Sequence, residues 1–181
     1  MRYSKEIFYI PNLLSIIRIF LLIPLSYLML YEFEDKNTLI IVIVLCMYFS
    51  DLLDGYLARK FDQVSEFGKI IDPLADKISV TVIALILLYL GRIPLWFVLI
   101  IVLRDVIILG CGIYLDKKKD IRLMSNYPGK TAVFFIGVVL LFSIINSPVL
   151  KEINSYLYYL CILLITYSSY LYYRRFREAV K

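Results

Sequence analysis

Two short segments decide the fold of this chain: DLLDGYLAR at residues 51–59 and GKIIDPLAD at residues 68–76. They place four carboxylates in a sequence that is otherwise strongly apolar. A charged side chain near the centre of a membrane helix costs about 2.5–3.5 kcal/mol or more unless it is paired, hydrated or bound to an ion. The four carboxylates therefore predict a functional site.

Helical spacing places the polar residues of each segment on one face. On the first helix these are Asp51, Asp54, Gly55, Ala58 and Arg59, and on the second Gly68, Asp72 and Asp76. We expect two antiparallel helices, joined by a polar turn at residues 62–66, with their carboxylates facing each other. The glycines and the alanine on these faces allow close backbone approach or leave space for a ligand.

Four facing carboxylates repel one another, and one or two divalent cations would remove that repulsion. The chain has no histidine, and Cys46, Cys111 and Cys161 lie in apolar runs without paired spacing, which disfavours zinc, copper and a disulfide framework. Oxygen ligands favour Mg²⁺ or Mn²⁺, which bind through carboxylates together with substrate phosphates. The site therefore predicts a phosphate-bearing ligand.

Composition indicates an integral, multi-pass membrane protein. The 181 residues are 61% hydrophobic with a mean hydropathy of +0.80, and we expect one compact domain over residues 1–181. The net charge of +5 does not indicate nucleic-acid binding, because the basic residues lie in short loops beside apolar runs, where anionic membrane lipids are the nearer partner.

The apolar runs predict an all-α protein with six transmembrane helices. Their expected ranges are 11–31, 39–61, 65 or 68 to 90, 93–115, 129–145 and 153–173. The first run is interpreted as a span because no small-residue cleavage site follows it. Pro73 either kinks the third helix or stands in its first turn, with Asp72 as the cap.

Basic residues are distributed unevenly between the loops of the six predicted spans. Thirteen lysines and arginines lie on one side and three on the other, with Arg18, Lys69, Lys77 and Arg104 set aside as intramembrane. Loops rich in lysine and arginine stay in the cytoplasm. Both termini and the turn between the two segments are therefore predicted to be cytoplasmic, where nucleotides are made.

The full pattern, D-x2-D-G-x2-A-R-x8-G-x3-D-x3-D, resembles the signature of the CDP-alcohol phosphatidyltransferases and matches all eight fixed positions. The resemblance implies a membrane enzyme that transfers a phosphatidyl or related group from a CDP-linked lipid, such as CDP-diacylglycerol, to an alcohol and releases CMP. It also implies a homodimer.

The same resemblance implies roles for the residues of the pattern. The expected ligands of two Mg²⁺ or Mn²⁺ ions are Asp51, Asp54, Asp72 and Asp76. Asp76 is also the expected general base. The CDP pocket is expected to be lined by Gly55, Ala58, Arg59 and Gly68.

Asn12, Ser15 and Arg18 share one face near the start of the first span. In one interpretation Asn12 caps the helix and Arg18 extends its charge toward water; in the other, Arg18 reaches the lipid pyrophosphate. The opening Pro-Asn-Leu-Leu-Ser-x2-Arg resembles the first helix of bacterial phosphatidylglycerophosphate synthases. That resemblance favours the second interpretation and implies that Asn12 and Arg18 help to bind the CDP-linked lipid. It also predicts a bacterial inner or plasma membrane.

The resemblance to that subfamily predicts glycerol 3-phosphate as the acceptor. Counter-charges for its phosphate are expected from Lys69, Lys77, Arg104, Arg122 and Lys130. The pair Arg104-Asp105 is more similar to cardiolipin synthases, whose acceptor is phosphatidylglycerol, and inositol phosphate is a further alternative. A structural role for this pair, satisfied by neighbouring helices, is the simpler interpretation of a mid-span arginine beside an aspartate.

Two hypotheses of another class compete with the enzyme. An ion-coupled transporter or divalent-cation channel would place acidic groups near the membrane midplane, often with an internal repeat, whereas here they cluster toward one face and no repeat is evident. A structural membrane protein would pair the aspartates with Arg59, Lys69 and Lys77. It would leave the small residues on the same faces unexplained.

Overall fold

The computed structural model describes residues 6–32, 34–63, 65, 67–119 and 127–180, and every regular element in these ranges is helical. A short 3-10 turn at Glu6–Phe8 precedes six long helices. They are α1 (Ile10–Leu30), α2 (Lys36–Lys60), α3 (Gly68–Tyr89), α4 (Leu95–Lys119), α5 (Tyr127–Ile145) and α6 (Pro148–Val180). The predicted all-α class is confirmed. Each predicted apolar run lies in one helix, and six membrane crossings stay a prediction.

The helix ends follow local backbone chemistry. Pro11 lies in the first turn of α1 and Pro148 is the first residue of α6, positions where the missing N–H of proline costs nothing. The connections use left-handed backbone at Asp35, Asp62 and Asn146, with φ of 57°, 50° and 55°. Short polar side chains tolerate this conformation better than other non-glycine residues, so the chain can reverse there.

Pro73 lies inside α3, because that helix already begins at Gly68. Of the two interpretations that the sequence left open, the one that placed Pro73 in the first turn is wrong. An internal proline removes one hydrogen bond of the helix ladder, and it does so next to Asp72, in the middle of the acidic segment.

The chain divides into two compact units, the first of which runs from Met1 to Ile86. In it, α1 packs against α2, and polar side chains of α1 reach the first turns of α3. Its buried apolar residues include Leu25 of α1 and Ala75 of α3, both fully buried. The four aspartates of the two segments all belong to this unit.

The second unit runs from Leu87 to Lys181, where α6 packs against α5 and α4. The aromatic rings of Trp96, Phe97 and Tyr158 meet edge to face at centroid distances of 4.7–5.8 Å. Between α5 and α6, the buried amide of Asn154 donates to the hydroxyl of Ser143 at 3.0 Å. This unit contains Arg104 and Lys130, two of the residues predicted to bind the acceptor.

Four helices in the described ranges are long and apolar enough to cross a membrane: α1, α2, α5 and α6. They expose large apolar side chains such as Phe20 and Ile23, at 64% and 67%, which is the pattern of a lipid-facing surface. α3 is not among the four, since it carries four charged residues in its first ten positions. The structure thus supports an integral membrane protein.

Candidate active site

Arg18 of α1 is the centre of the candidate site. Its side chain is 3% exposed, and its guanidinium contacts all four aspartates of the two segments. Nη2 donates to Asp54 Oδ2 at 2.5 Å, while Nη1 lies 2.9 Å from Asp51 Oδ1 and 3.7 Å from Asp72 Oδ1. Nη1 also donates to Asp76 Oδ1. Three helices therefore converge on one cation.

The carboxylates of Asp51, Asp72 and Asp76 form a compact oxygen cluster. Each contributes one oxygen, and these oxygens lie within 4.8 Å of one another. Their side chains are 43%, 43% and 50% exposed, so they are open to a ligand, whereas Asp54 is buried against Arg18. The prediction that the two helices face their carboxylates toward each other is confirmed for these residues.

The charges of this cluster are unbalanced. Four carboxylates face one guanidinium, and among the side chains that the structure describes no second lysine or arginine lies within 4.0 Å of them. Oxygen-only donors with an excess of negative charge match the preference of Mg²⁺ and Mn²⁺. The residues present thus fit a divalent cation.

A cavity of about 160 Å³ adjoins the carboxylates. Its lining includes Asp54 and Asp72 together with the small residues Gly55, Ala58 and Gly68 of the sequence pattern. The remaining lining residues are Pro11, Asn12, Ser15, Gln63 and Ser65. The small residues therefore lie beside open space, as expected from the sequence. Their role in binding CDP stays a prediction.

Asn12 joins α1 to the start of α3. It is 2% exposed, and its Nδ2 donates to the Glu6 carbonyl at 2.6 Å and to Ser65 Oγ at 2.8 Å. Ser65 Oγ also accepts from the backbone N–H of Gly68 at 2.9 Å. A Cβ atom at residue 68 would lie 2.5 Å from Asn12 Oδ1, so the close approach requires glycine. Gly68 therefore serves packing as well as lining the cavity.

These contacts correct one interpretation of the first helix. The cap of α1 is Tyr9 rather than Asn12, which lies inside the helix with its side chain turned toward residue 65. Arg18 does not extend toward water, because the acidic residues of α2 and α3 hold it inside the protein. A contact between Arg18 and a lipid pyrophosphate stays a prediction.

The described residues predicted to bind the acceptor belong to different units of the chain, and their shared role stays a prediction. Lys77 lies next to Asp76 on α3, whereas Arg104 and Lys130 belong to the second unit, where Arg104 pairs with Asp105 at 2.7 Å. This pair agrees with the structural interpretation of Arg104. Arg122 and the side chains of Arg59 and Lys69 lie outside the described residues.

Several residues at the site, among them Ser15, Ser65 and Glu6, were not assigned a role from the sequence. Ser15 Oγ donates to Asp72 Oδ1 at 3.4 Å, and its helical spacing from Asn12 and Arg18 was the available signal. Ser65 and Glu6 had no such signal. The Glu6 carboxylate accepts from the Phe67 N–H at 3.1 Å, a contact across 61 positions that no local pattern encodes.

Comparison with known proteins adds a family match. The family model described as CDP-alcohol phosphatidyltransferase matches residues 8–167, which include every residue of the acidic pattern. The chain is also similar to a Mycoplasma pneumoniae protein named CDP-diacylglycerol--glycerol-3-phosphate 3-phosphatidyltransferase, with 34% identity over 165 residues. That alignment covers 81% of this chain and 72% of the relative.

Of two further relatives, one carries the same name and the other is named as a cardiolipin synthase. An Aquifex aeolicus protein with the same name as the Mycoplasma relative is 38% identical over 136 residues, which cover 73% of each chain. A Drosophila melanogaster protein named probable cardiolipin synthase (CMP-forming) is 32% identical over 152 residues. This second alignment covers 83% of the present chain but only 44% of the Drosophila protein.

Proposed function

Because the chain belongs to the CDP-alcohol phosphatidyltransferase family, we propose that it transfers the phosphatidyl group of CDP-diacylglycerol to glycerol 3-phosphate in a metal-dependent reaction that releases CMP. The observation that carries the proposal is the convergence of the Asp51, Asp72 and Asp76 oxygens within 4.8 Å, beside a cavity lined by the small residues of the pattern. The proposal places six spans in the membrane and both termini in the cytoplasm.

The proposed reaction is a displacement at the lipid-side phosphorus. The acceptor oxygen forms a bond to that phosphorus, and the bond from the phosphorus to the oxygen that bridges to CMP breaks. The bridging oxygen leaves with the electron pair as part of the CMP phosphate. A bound divalent ion supplies charge neutralisation for the pyrophosphate and for the departing phosphate.

The residues of the chain have separate tasks in this proposal. The half-exposed carboxylate of Asp76 takes the proton of the acceptor hydroxyl, a task that requires access to the substrate. Asp51, Asp54 and Asp72 hold the metal with Asp76, and Ser15 orients Asp72 through its hydroxyl. The cavity between α1, α2 and the start of α3 receives the CDP group. The apolar helices hold the acyl chains.

Glycerol 3-phosphate is proposed as the acceptor because two relatives carry that substrate in their names and align over 72–73% of their length. The relative named as a cardiolipin synthase aligns over less than half of its length. Phosphatidylglycerol remains the second candidate, since Arg104-Asp105 resembles the corresponding pair of that subfamily. A homodimer in a bacterial membrane is part of the proposal on family grounds.

The test is CMP release by the purified full-length chain with CDP-diacylglycerol and Mn²⁺ or Mg²⁺. Glycerol 3-phosphate is expected to support turnover, whereas phosphatidylglycerol and inositol phosphate are not. Chelation of the metal by EDTA is expected to abolish turnover.

Asp76→Asn is expected to lower kcat by about 10²–10⁴, the usual contribution of a general base. Glu32→Gln, which removes a surface partner of Lys36, is the matched control and leaves kcat unchanged.

Three outcomes would contradict the proposal. Turnover with phosphatidylglycerol and not with glycerol 3-phosphate would show that phosphatidylglycerol is the acceptor. Full activity of Asp76→Asn would refute its role as the base. Passage of divalent cations across the membrane of reconstituted vesicles, without any CMP release, would favour a channel or transporter.

A further inference from the structure

The guanidinium of Arg18 occupies the space between the carboxylates that fit a metal ion. Its Nη1 contacts Asp51, Asp72 and Asp76, the same three side chains whose oxygens form the compact cluster. Mg²⁺ binds such oxygens at about 2.0–2.1 Å, so a bound ion needs them at close range. One cluster thus offers the same oxygens to two different cations.

The two cations cannot share these oxygens in the observed arrangement. Like charges a few ångströms apart in a partly buried site repel strongly. The hydrogen bonding of Arg18 is also incomplete, because its Nε is buried without a partner among the described residues. A buried donor without a partner makes this placement less favourable than full pairing would be.

We propose that Arg18 is an internal counter-cation, which holds the carboxylate cluster together in the metal-free protein and leaves it when the divalent ion binds. The released guanidinium is then free for the contact with the lipid diphosphate that the sequence resemblance favours, since a planar fork of donors matches phosphate oxygens well. The inference rests on the proposed metal-dependent function. It assigns Arg18 two successive partners instead of one.

The position of Arg18 on α1 supports this exchange. Asn12 and Ser15 are on the same face of the helix and line the cavity that adjoins the cluster. Nη2 of Arg18 contacts Asp54, which lines that cavity as well. A long, flexible arginine side chain at this point can therefore turn from the carboxylates toward the cavity without a change in the helix.

The first experiment measures Mn²⁺ binding to the purified full-length chain by electron paramagnetic resonance of free Mn²⁺, together with Tm in EDTA and in saturating Mn²⁺. Arg18→Gln is expected to bind Mn²⁺ at least tenfold more tightly than wild type. Its Tm is expected to fall in EDTA and to recover in Mn²⁺. Arg18→Lys keeps the competing charge and stays near the wild-type affinity. Lys36→Gln removes one positive charge at the surface and is the control for net charge.

A second experiment uses wild-type protein and does not depend on the folding of a variant. Phenylglyoxal modifies exposed guanidinium groups, and mass spectrometry locates the adducts. Arg18 is expected to be protected in EDTA, reactive in Mn²⁺, and protected again when CDP is added. Arg92, which donates to the Ile144 carbonyl at 3.0 Å, is the internal control and is expected to be indifferent to Mn²⁺.

The outcomes separate this inference from the proposed function. Unchanged or weaker Mn²⁺ binding by Arg18→Gln, or protection of Arg18 in both EDTA and Mn²⁺, would overturn the exchange while leaving a metal-dependent transferase intact. Absence of Mn²⁺ binding in both wild type and Arg18→Gln, with CDP present as well as without it, would overturn the metal-dependent function and the exchange with it. Tighter binding with Mn²⁺-dependent exposure supports both.

Discussion

At Gly68 the start of α3 comes into direct contact with α1. The space for a Cβ atom is taken by Asn12 Oδ1, and Asn12 is held in place by the two hydrogen bonds of its Nδ2. A larger residue would push the amide away and break at least one of these bonds. The glycine of the family signature is therefore a packing requirement here, in addition to its predicted place in the nucleotide pocket.

Gly68→Ala is expected to lower stability by about 1–3 kcal/mol, the usual cost of overpacking or of losing buried hydrogen bonds. It is also expected to raise KM for CDP-diacylglycerol, because Asn12 lines the cavity. Tm and KM of the purified protein provide the measurement. Gly137→Ala on α5 is the control, since nothing lies within 4 Å of its added Cβ and alanine favours a helix. Equal stability of the two variants would refute the packing role.

Residue spacing predicted part of this site and missed another part. Helical periodicity is local. Carboxylates three or four positions apart share one helix face, so the sequence predicted that Asp51 would face Asp72 and Asp76. The pairing of Arg18 with them depends on the register of α1 against α2 and α3. That register depends on packing between residues far apart in the sequence, so local spacing does not predict it.

The connection between α2 and α3 is held to the N-terminal end of α1 at three points. Ser65 Oγ accepts from Asn12, the Glu6 carboxylate accepts from the N–H of Phe67, and Gln63 Oε1 accepts from the N–H of Ile10 at 3.3 Å. These polar contacts therefore fix where α3 begins, and with it the position of Asp72.

Ser65→Ala is expected to loosen this connection, because Asn12 Nδ2 and the Gly68 N–H both lose a partner. A loss of about 1–2 kcal/mol in local stability corresponds to roughly tenfold faster amide exchange. Hydrogen–deuterium exchange with mass spectrometry of peptides over residues 61–71 measures it. Ser26→Ala is the matched control, since Ser26 Oγ donates within its own helix, to the Leu22 carbonyl. Unchanged exchange in Ser65→Ala would show that the turn holds without this hydroxyl.

Helix boundaries were the more predictable feature at the scale of elements. Each predicted span agrees with one observed helix, because apolar runs, prolines and turn residues act locally. The largest differences are at the ends of α6, which is longer than the predicted 153–173 and runs from Pro148 to Val180. Polar residues such as Lys151 and Arg174 continue this helix beyond its apolar part, which hydropathy alone does not register.

At the scale of the molecule, the number of membrane crossings depends on α3 and α4. Hydropathy supports crossing by α1, α2, α5 and α6, whereas the acidic segment lowers the apolar character of α3. The charges of the acidic segment thus weaken the hydropathy signal of the helix that carries them. The proposed topology has α3 cross the membrane with its acidic end at the cytoplasmic face, and the distribution of basic residues supports it.

Tyr89, the last residue of α3 and 81% exposed, distinguishes six crossings from four. We expect Tyr89→Cys and Lys151→Cys to react with a membrane-impermeant maleimide in intact cells, in a chain whose native cysteines are replaced by alanine. Arg177→Cys is expected to react only after permeabilisation, since the end of α6 is proposed to be cytoplasmic. With four crossings, Tyr89→Cys would behave like Arg177→Cys and Lys151→Cys would not change. Labelling of Tyr89→Cys only after permeabilisation would therefore show that α3 and α4 do not cross the membrane. In that case the acidic end of α3 would contact a nucleotide-linked lipid from a helix that lies outside the bilayer.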